Sequence, residues 1–287
     1  MTVSASNHSS AWGQVFGALT AATLLAAATP ATGVVVTNFN TIAPPTNGWV
    51  GNWYGSSAVP VAPNWVLSAR HVGGAVGASF WMRGQTYQAA EIRQHPVLDL
   101  QLVRLATPVP GWHSIADQPA VGTPVLLGGV GATTAAPLPG NLGWDWNGPH
   151  VETWGTNAIA TTGTVLRVRF DAPGGGGDSH ESTFAMNDSG AGLFVVGGGG
   201  QLQLAGTAVS VTGGGSSLYG ASSYCVNLST ARDWITSITG VPDAPQIGDI
   251  FEFLTLWFAR NPAADVDQNG TINVADIFVF LAAWFAG

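Results

Sequence analysis

Between about Gly33 and Thr239 the chain runs in short apolar segments, several of which alternate with a period of two. Trp65–Leu67, Leu100–Leu105, Val165–Phe170, Leu193–Val196 and Gln203–Val211 are each flanked by Gly, Pro, Asn or Ser. This spacing predicts many short strands joined by turns, arranged as a sandwich or as barrels. The stretch Pro110 to Gly122, rich in Pro, Gly and polar residues, reads as a connector between two halves, each supplying one small barrel.

The period changes near the C-terminus. Ala231, Trp234, Ile235 and Ile238 have helical spacing, Ser229 and Thr230 offer a cap, and Gly240 supplies a stop. We read this as the closing helix of a large domain over residues 33–240. Residues 241–246, with two prolines and an aspartate, read as a short stiff linker. Residues 247–287 contain an internal repeat, in which Ile247 to Ala259 matches Val274 to Ala286 at most positions. Both copies are apolar on nearly every side, so each helix is expected to be covered by its twin and by something else.

At the other end, Val15 to Ala28 is an apolar run closed by small residues around Ala28 to Ala31. Residues 1–32 therefore read as a secretion signal cut near Ala31, although Met1 to Gln14 offers only His8 as a cationic side chain. A buried N-terminal helix is the structural alternative. The run is shorter than the roughly 20 residues a bilayer span needs, so no transmembrane span is expected after signal removal.

Composition narrows the functional classes. With 287 residues and 46% of them apolar, the chain is long enough to bury a substantial core. Acidic residues outnumber basic ones 16 to 8 and the net charge is −8, which argues against nucleic acid as a partner. Cys225 is the one cysteine, so an exported form has no internal disulfide. It lies in the alternating stretch Ser223-Tyr224-Cys225-Val226 and reads as a strand residue rather than a nucleophile.

Three segments carry chemistry. In Asn64-Trp-Val-Leu-Ser-Ala-Arg-His71 an apolar strand delivers a histidine to a turn, where a general base belongs. In His95-Pro-Val-Leu-Asp99-Leu-Gln-Leu an aspartate stands at the mouth of an alternating strand, placed to orient an imidazole. In Met186-Asn-Asp-Ser189-Gly-Ala-Gly-Leu a serine occupies a glycine-bounded turn, which exposes a hydroxyl and points backbone N–H groups inward. A serine hydroxyl is a poor nucleophile without such a base.

These segments resemble those of the trypsin-like serine peptidase family, with its Thr-Ala-Ala-His, Asp-Ile-Ala-Leu and Gly-Asp-Ser-Gly-Gly stretches in that order. The resemblance spans most of Gly51 to Ile238. It implies a mostly β fold of two six-stranded antiparallel barrels, chymotrypsin-like, and a His71, Asp99 and Ser189 triad. It also implies an oxyanion hole from the amides of Asn187 and Ser189, with no cofactor for catalysis. Asn187 and Ala191 stand where the family usually has glycine, and Asn tolerates the left-handed backbone better than most residues. In trypsin the residue matching Asp188 pairs with a freed N-terminal amine, but no Ile-Val-Gly-Gly start is present here. Thr183, six residues before Ser189, stands where trypsin carries an aspartate. With Val211 and Thr212 it implies a neutral specificity pocket.

Ser179 in Gly177-Asp178-Ser179-His180 has no strand or glycine after it. A Gly-x-Ser-x-Gly elbow is absent. His95 with Asp99, and His180 with Glu181, lack any zinc-ligand motif.

The tail adds Asp265-Val-Asp267-Gln-Asn269-Gly270-Thr271-Ile-Asn273-Val-Ala-Asp276. Oxygen ligands at the first, third, fifth and twelfth places, with glycine at the sixth, form the pattern of a Ca²⁺ loop. Thr271 would bind through its carbonyl, and Asn273 directly or through water. Aspartate at the last place, together with the aromatic repeat, resembles a dockerin-type module over 247–287. That resemblance implies docking to a cohesin-like or cell-surface partner. The first repeat lacks the matching acidic series upstream of Asp249, so at most one Ca²⁺ is expected. The expectation is a secreted serine endopeptidase acting on protein or peptide. The alternative is an inactive protease-fold adhesion or docking protein whose tail is the function.

Overall fold

The computed structural model describes residue 1 and residues 33–132, 134–146, 148–197, 200–240, 250–267 and 269–285. The expected signal at 1–32, apart from residue 1, and the linker at 241–246 lie outside the described residues.

A short strand β1 (Val35–Val36) precedes the first barrel, which is built from β2 (Gly51–Trp53), β3 (Ser56–Ala62), β4 (Trp65–Ser68), β5 (Ser79–Met82), β6 (Gln85–Gln94) and β7 (Gln101–Leu105). These strands close in the order β2-β3-β4-β7-β6-β5 with every pairing antiparallel. The second half contains β8 (Pro124–Gly129), β9 (Gly143–Asp145), β10 (Thr153–Thr161), β11 (Val165–Arg169), β12 (Ser182–Thr183), β13 (Gly192–Val196), β14 (Leu202–Val211), β15 (Ser216–Leu218) and β16 (Ser222–Asn227). Six of them close as β10-β11-β16-β14-β13-β8, while β9 pairs with β15 and β12 with β1 outside the barrel. The fold class is therefore the mostly β, two-barrel architecture expected. Closure leaves neither barrel with a free edge, which suits a chain without disulfides.

Each barrel fills itself with side chains from alternate positions. Phe80 and Met82 of β5 point inward while Ser79 and Trp81 face out, and they meet Trp53, Tyr87, Val103 and Leu105. Leu127, Ile159, Leu166, Val168, Leu193 and Cys225 fill the second barrel. A third cluster joins the two, with Val59, Leu67 and Leu102 from one barrel against Trp154, Phe194 and Leu204 from the other. Trp154 and Phe194 are both fully buried, with ring centroids 5.1 Å apart. Burial of each such ring contributes on the order of 2–3 kcal/mol to the cluster at the seam between barrels.

Helix α1 (Arg232–Thr239) follows, ended by Gly240 in the left-handed conformation at φ 67°. The expected cap differs: Ser229 and Thr230 lie in a 3-10 turn ahead of α1, and the side chain of Asn227 accepts from the Ser229 amide. Helices α2 (Ile250–Phe258) and α3 (Val274–Phe285) are the two repeats. Phe253 and Phe280, equivalent in the repeats, stack with centroids 4.1 Å apart and form the centre of a separate small core. Phe251 and Phe278, also equivalent, are exposed. Among the described residues no helix is long and apolar enough to cross a membrane.

Candidate active site

The pairing of β4 with β7 sets Ser68 opposite Gln101, and this register brings the residue three past Ser68 to the one two before Gln101. Those residues are His71 and Asp99. Gln101 ties the intervening turn down by donating to the carbonyls of Ala69 at 3.1 Å and Gly73 at 2.8 Å. Arg70 adds a bond to the His95 carbonyl at 3.1 Å. Asp99 Oδ1 then accepts the His71 backbone amide at 2.9 Å, and its Oδ2 stands 2.6 Å from His71 Nδ1. A carboxylate at Nδ1 keeps the ring proton there, which leaves Nε2 as the acceptor. Nε2 lies 2.7 Å from Ser189 Oγ.

Ser189 reaches that position through a turn fixed from below. Asp188 is fully buried, its Oδ1 accepting from the Gly131 amide at 2.9 Å and its Oδ2 from the Ala185 amide at 2.8 Å. Burial holds its carboxyl well above the usual carboxylate range. The Asp188 amide donates to Ala185 and the Ala191 amide to Asp188, closing the turn. The amides on either side, of Asn187 and Ser189, have no acceptor among the described residues. Asn187 has φ 67°, the left-handed conformation that asparagine tolerates. Gly190 at φ 88° is required, because a Cβ there would sit 2.0 Å from the Ser57 carbonyl oxygen.

His71 and Ser189 open into a cleft of about 400 Å³ lined by Ser56, His71, Val72, Trp146, Phe184 to Ser189 and Ala208 to Val211. Of the residues expected to shape specificity, Val211 lines it. Thr183 does not: its buried hydroxyl lies 2.7 Å from Ser223 Oγ, beneath the cleft wall. Thr212 is likewise turned away, its Oγ1 accepting the Ser222 amide at 2.8 Å. Trp146 and Phe184, which the sequence did not single out, take their places.

No protein-family model and no curated protein matches this sequence. Among solved structures it is similar to neuropsin, a serine protease expressed in the limbic system of mouse brain. The two share 17% identity with a TM-score of 0.54, over 69% of this chain and 97% of that one. The fold is chymotrypsin-like. At that identity the likeness is one of architecture, so the chemistry of the cleft rests on its own geometry.

The other groups weighed from the sequence fall outside this cleft. On the chymotrypsin-like scaffold Cys225 is a buried residue of β16, and burial pushes its thiol far up. Ser179 lies in the loop between β11 and β12, where its carbonyl accepts from Asn40. His95 Nδ1 accepts the amides of Val97 at 3.1 Å and Leu98 at 2.9 Å.

In the tail, oxygens of Asp265, Asp267 and Asp276 lie within 4.8 Å of one another. Asp265 accepts from the amides of Asn269 and Gly270, and Asp276 from those of Asp267 and Asn273. Asn269 Oδ1 accepts the Thr271 amide, the Thr271 carbonyl accepts from Asn273, and Asn273 Oδ1 accepts the Ala275 amide. Burial raises the Asp265 carboxyl to about 7 and also raises that of Asp276. The three converging carboxylates make an all-oxygen donor set suited to a hard cation.

Proposed function

We propose that this protein is a serine endopeptidase that hydrolyses peptide bonds through an acyl-enzyme on Ser189. One observation carries the reading: the continuous Asp99–His71–Ser189 hydrogen-bond chain ends beside the backbone amides of Asn187 and Ser189, which have no acceptor among the described residues. The Ser189 oxygen attacks the scissile carbonyl carbon while His71 Nε2 takes its proton. The amides of Asn187 and Ser189 receive the oxyanion, each such donor contributing on the order of 3 kcal/mol to the barrier. His71 returns the proton to the departing amine, and the acyl group stays on Ser189. Water then repeats the sequence, with His71 as base, to release the acid. Asp99 supports the imidazolium in both halves.

A fluorophosphonate probe tests this directly. It should label the protein once, at Ser189, and the adduct should disappear in Ser189→Ala. Labelling that survives this substitution would mean that the nucleophile lies elsewhere.

The remaining parts of the reading locate the enzyme. Residues 1–32 direct it to secretion. The tail loop holds one Ca²⁺ through Asp265, Asp267, Asn269, the Thr271 carbonyl, Asn273 and Asp276, locking the two repeats. The tail then attaches the enzyme to a cohesin-like or cell-surface partner, for which the matched exposed rings of Phe251 and Phe278 offer two apolar contacts.

A further inference from the structure

The cleft wall nearest the barrel-two side of Ser189 is built partly from outside the barrels. Strands β9 and β15 form a two-stranded flap, with Asp145 opposite Ser216 and Gly143 opposite Leu218. The pair approaches closely because Gly143, at φ 144°, has no side chain; a Cβ would lie 2.0 Å from the Ser217 carbonyl oxygen. The residue that follows β9 is Trp146, and it lines the cleft together with Phe184, Ala185 and Val211.

Trp146 is a fixed wall and not a mobile lid. Only 8% of it is exposed, and it belongs to the packed cluster containing Trp144, Phe170 and Ala185, with Val211 and Tyr219 against it. Its indole N–H would be costly to bury unpaired, and Ser217, itself 1% exposed, accepts it at 2.7 Å. The flap is anchored in turn. Trp144 donates to the Tyr219 hydroxyl at 2.9 Å, the Thr37 hydroxyl lies 2.9 Å from the same oxygen, and the Tyr219 ring stacks on Phe170 at 4.9 Å. The flap that carries Ser217 is thus tied down through Trp144, Tyr219 and Thr37.

We infer that Trp146 is the specificity-determining residue of this cleft, and that with Phe184 and Val211 it restricts the acyl-side residue of the substrate to compact aliphatic side chains such as Ala or Val. The inference rests on the acyl-enzyme reading above. A charged substrate side chain set against the apolar faces of Trp146, Phe184 and Val211 finds little there to replace its hydration, so Arg, Lys, Asp and Glu are rejected by desolvation. An aromatic ring is rejected by shape, because the locked indole cannot turn aside to admit it. Asp188, the one acidic residue among the wall residues, does not serve as a cation receptor, since both of its oxygens are engaged by backbone amides. Ser217 is a positioning residue that acts through Trp146.

The test compares kcat/KM on peptide p-nitroanilides that differ only in the residue before the scissile bond: Ala, Val, Leu, Phe, Arg and Glu. The intact enzyme should favour Ala or Val over Phe by at least about 10-fold, the range that pocket volume supplies, and over Arg and Glu by more. Trp146→Ala should raise the Phe to Ala ratio by about 10-fold or more, acting mainly through KM. Ser217→Ala keeps the indole but frees it, and should move the same ratio in the same direction by a few-fold. A purely structural role for either residue would lower all substrates together and leave the ratios unchanged.

Unchanged ratios in both variants, with Ser189 still labelled by fluorophosphonate, would overturn the inference while leaving the acyl-enzyme reading intact. An intact enzyme that takes Arg or Phe best would do the same. No labelling of the intact enzyme would remove the reading itself and this inference with it. If Trp146→Ala does not fold, Trp146→Phe and Ser217→Ala decide the question by the same ratios.

Discussion

Asp99 holds His71 at two atoms, its Oδ1 accepting the backbone amide at 2.9 Å and its Oδ2 facing ring Nδ1 at 2.6 Å. The first bond fixes where the residue sits and the second fixes which ring nitrogen carries the proton. Asp99→Asn keeps an oxygen for the backbone amide but presents an N–H₂ to Nδ1, which forces the proton onto Nε2. That nitrogen then cannot accept from Ser189. The expected result is a loss of about 10⁴-fold in kcat with little change in melting temperature. Steady-state kinetics beside a thermal melt checks it, and a loss below 10-fold would show that Asp99 does not set the tautomer.

The meeting of Asp99, His71 and Ser189 was legible because each is bracketed by local chemistry that sequence displays. An apolar strand precedes His71, an alternating strand follows Asp99, and glycines flank Ser189. The barrels were legible from β4, β7, β11, β13 and β14, whose apolar character is plain. Other strands were hidden. β6 reads Gln-Thr-Tyr-Gln-Ala-Ala-Glu-Ile-Arg-Gln, and only Tyr87 and Ala89 of its ten residues are buried, so it has almost no apolar period. The cleft wall was least legible. Counting back from Ser189 reaches Thr183, but β12 ends there in its pairing with β1, and Phe184 is the residue that meets the cleft. Trp146 arrives from a three-residue strand whose partner lies more than seventy residues on, a non-local pairing that no local pattern announces.

Asn187 offers a second prediction. Its φ of 67° is the left-handed conformation, and a residue intolerant of it must shift the backbone that carries the amide. Asn187→Gly should retain activity within a few-fold. Asn187→Val, β-branched and strained at positive φ, should lower kcat by about 10²-fold or more, the effect of losing one oxyanion donor. Equal activity in the two variants would remove Asn187 from the hole.

Calcium binding is testable in the full chain. Isothermal titration should find one Ca²⁺ per chain, and Asp265→Ala should abolish it, because that carboxylate also organises the loop through the Asn269 and Gly270 amides. Addition of Ca²⁺ should raise the melting temperature of the intact chain, as expected for a ligand that binds only the folded form. Two bound ions would mean that the first repeat, despite its missing acidic series, also holds metal.

Glu181 provides a stability prediction with a definite sign. It is buried below the glycine-rich loop between β11 and β12, and its Oε1 accepts the Asp171 amide at 3.1 Å. Burial, reinforced by repulsion from Asp178 and Asp171, raises its carboxyl from 4.5 to about 7. Between those values the folded chain holds a proton that the unfolded chain has released, so stability falls as pH rises through the window and levels off above it. Glu181→Gln keeps the acceptor for Asp171 and removes the charge. The variant should match the parent near pH 4.5 and be more stable by on the order of 1–3 kcal/mol at pH 8, a melting point higher by several degrees. Asp188 titrates in the same direction but is present in both chains, so it cancels from the difference. A gap between variant and parent that stays constant from pH 5 to pH 8 would mean that Glu181 is ionised in the folded protein throughout.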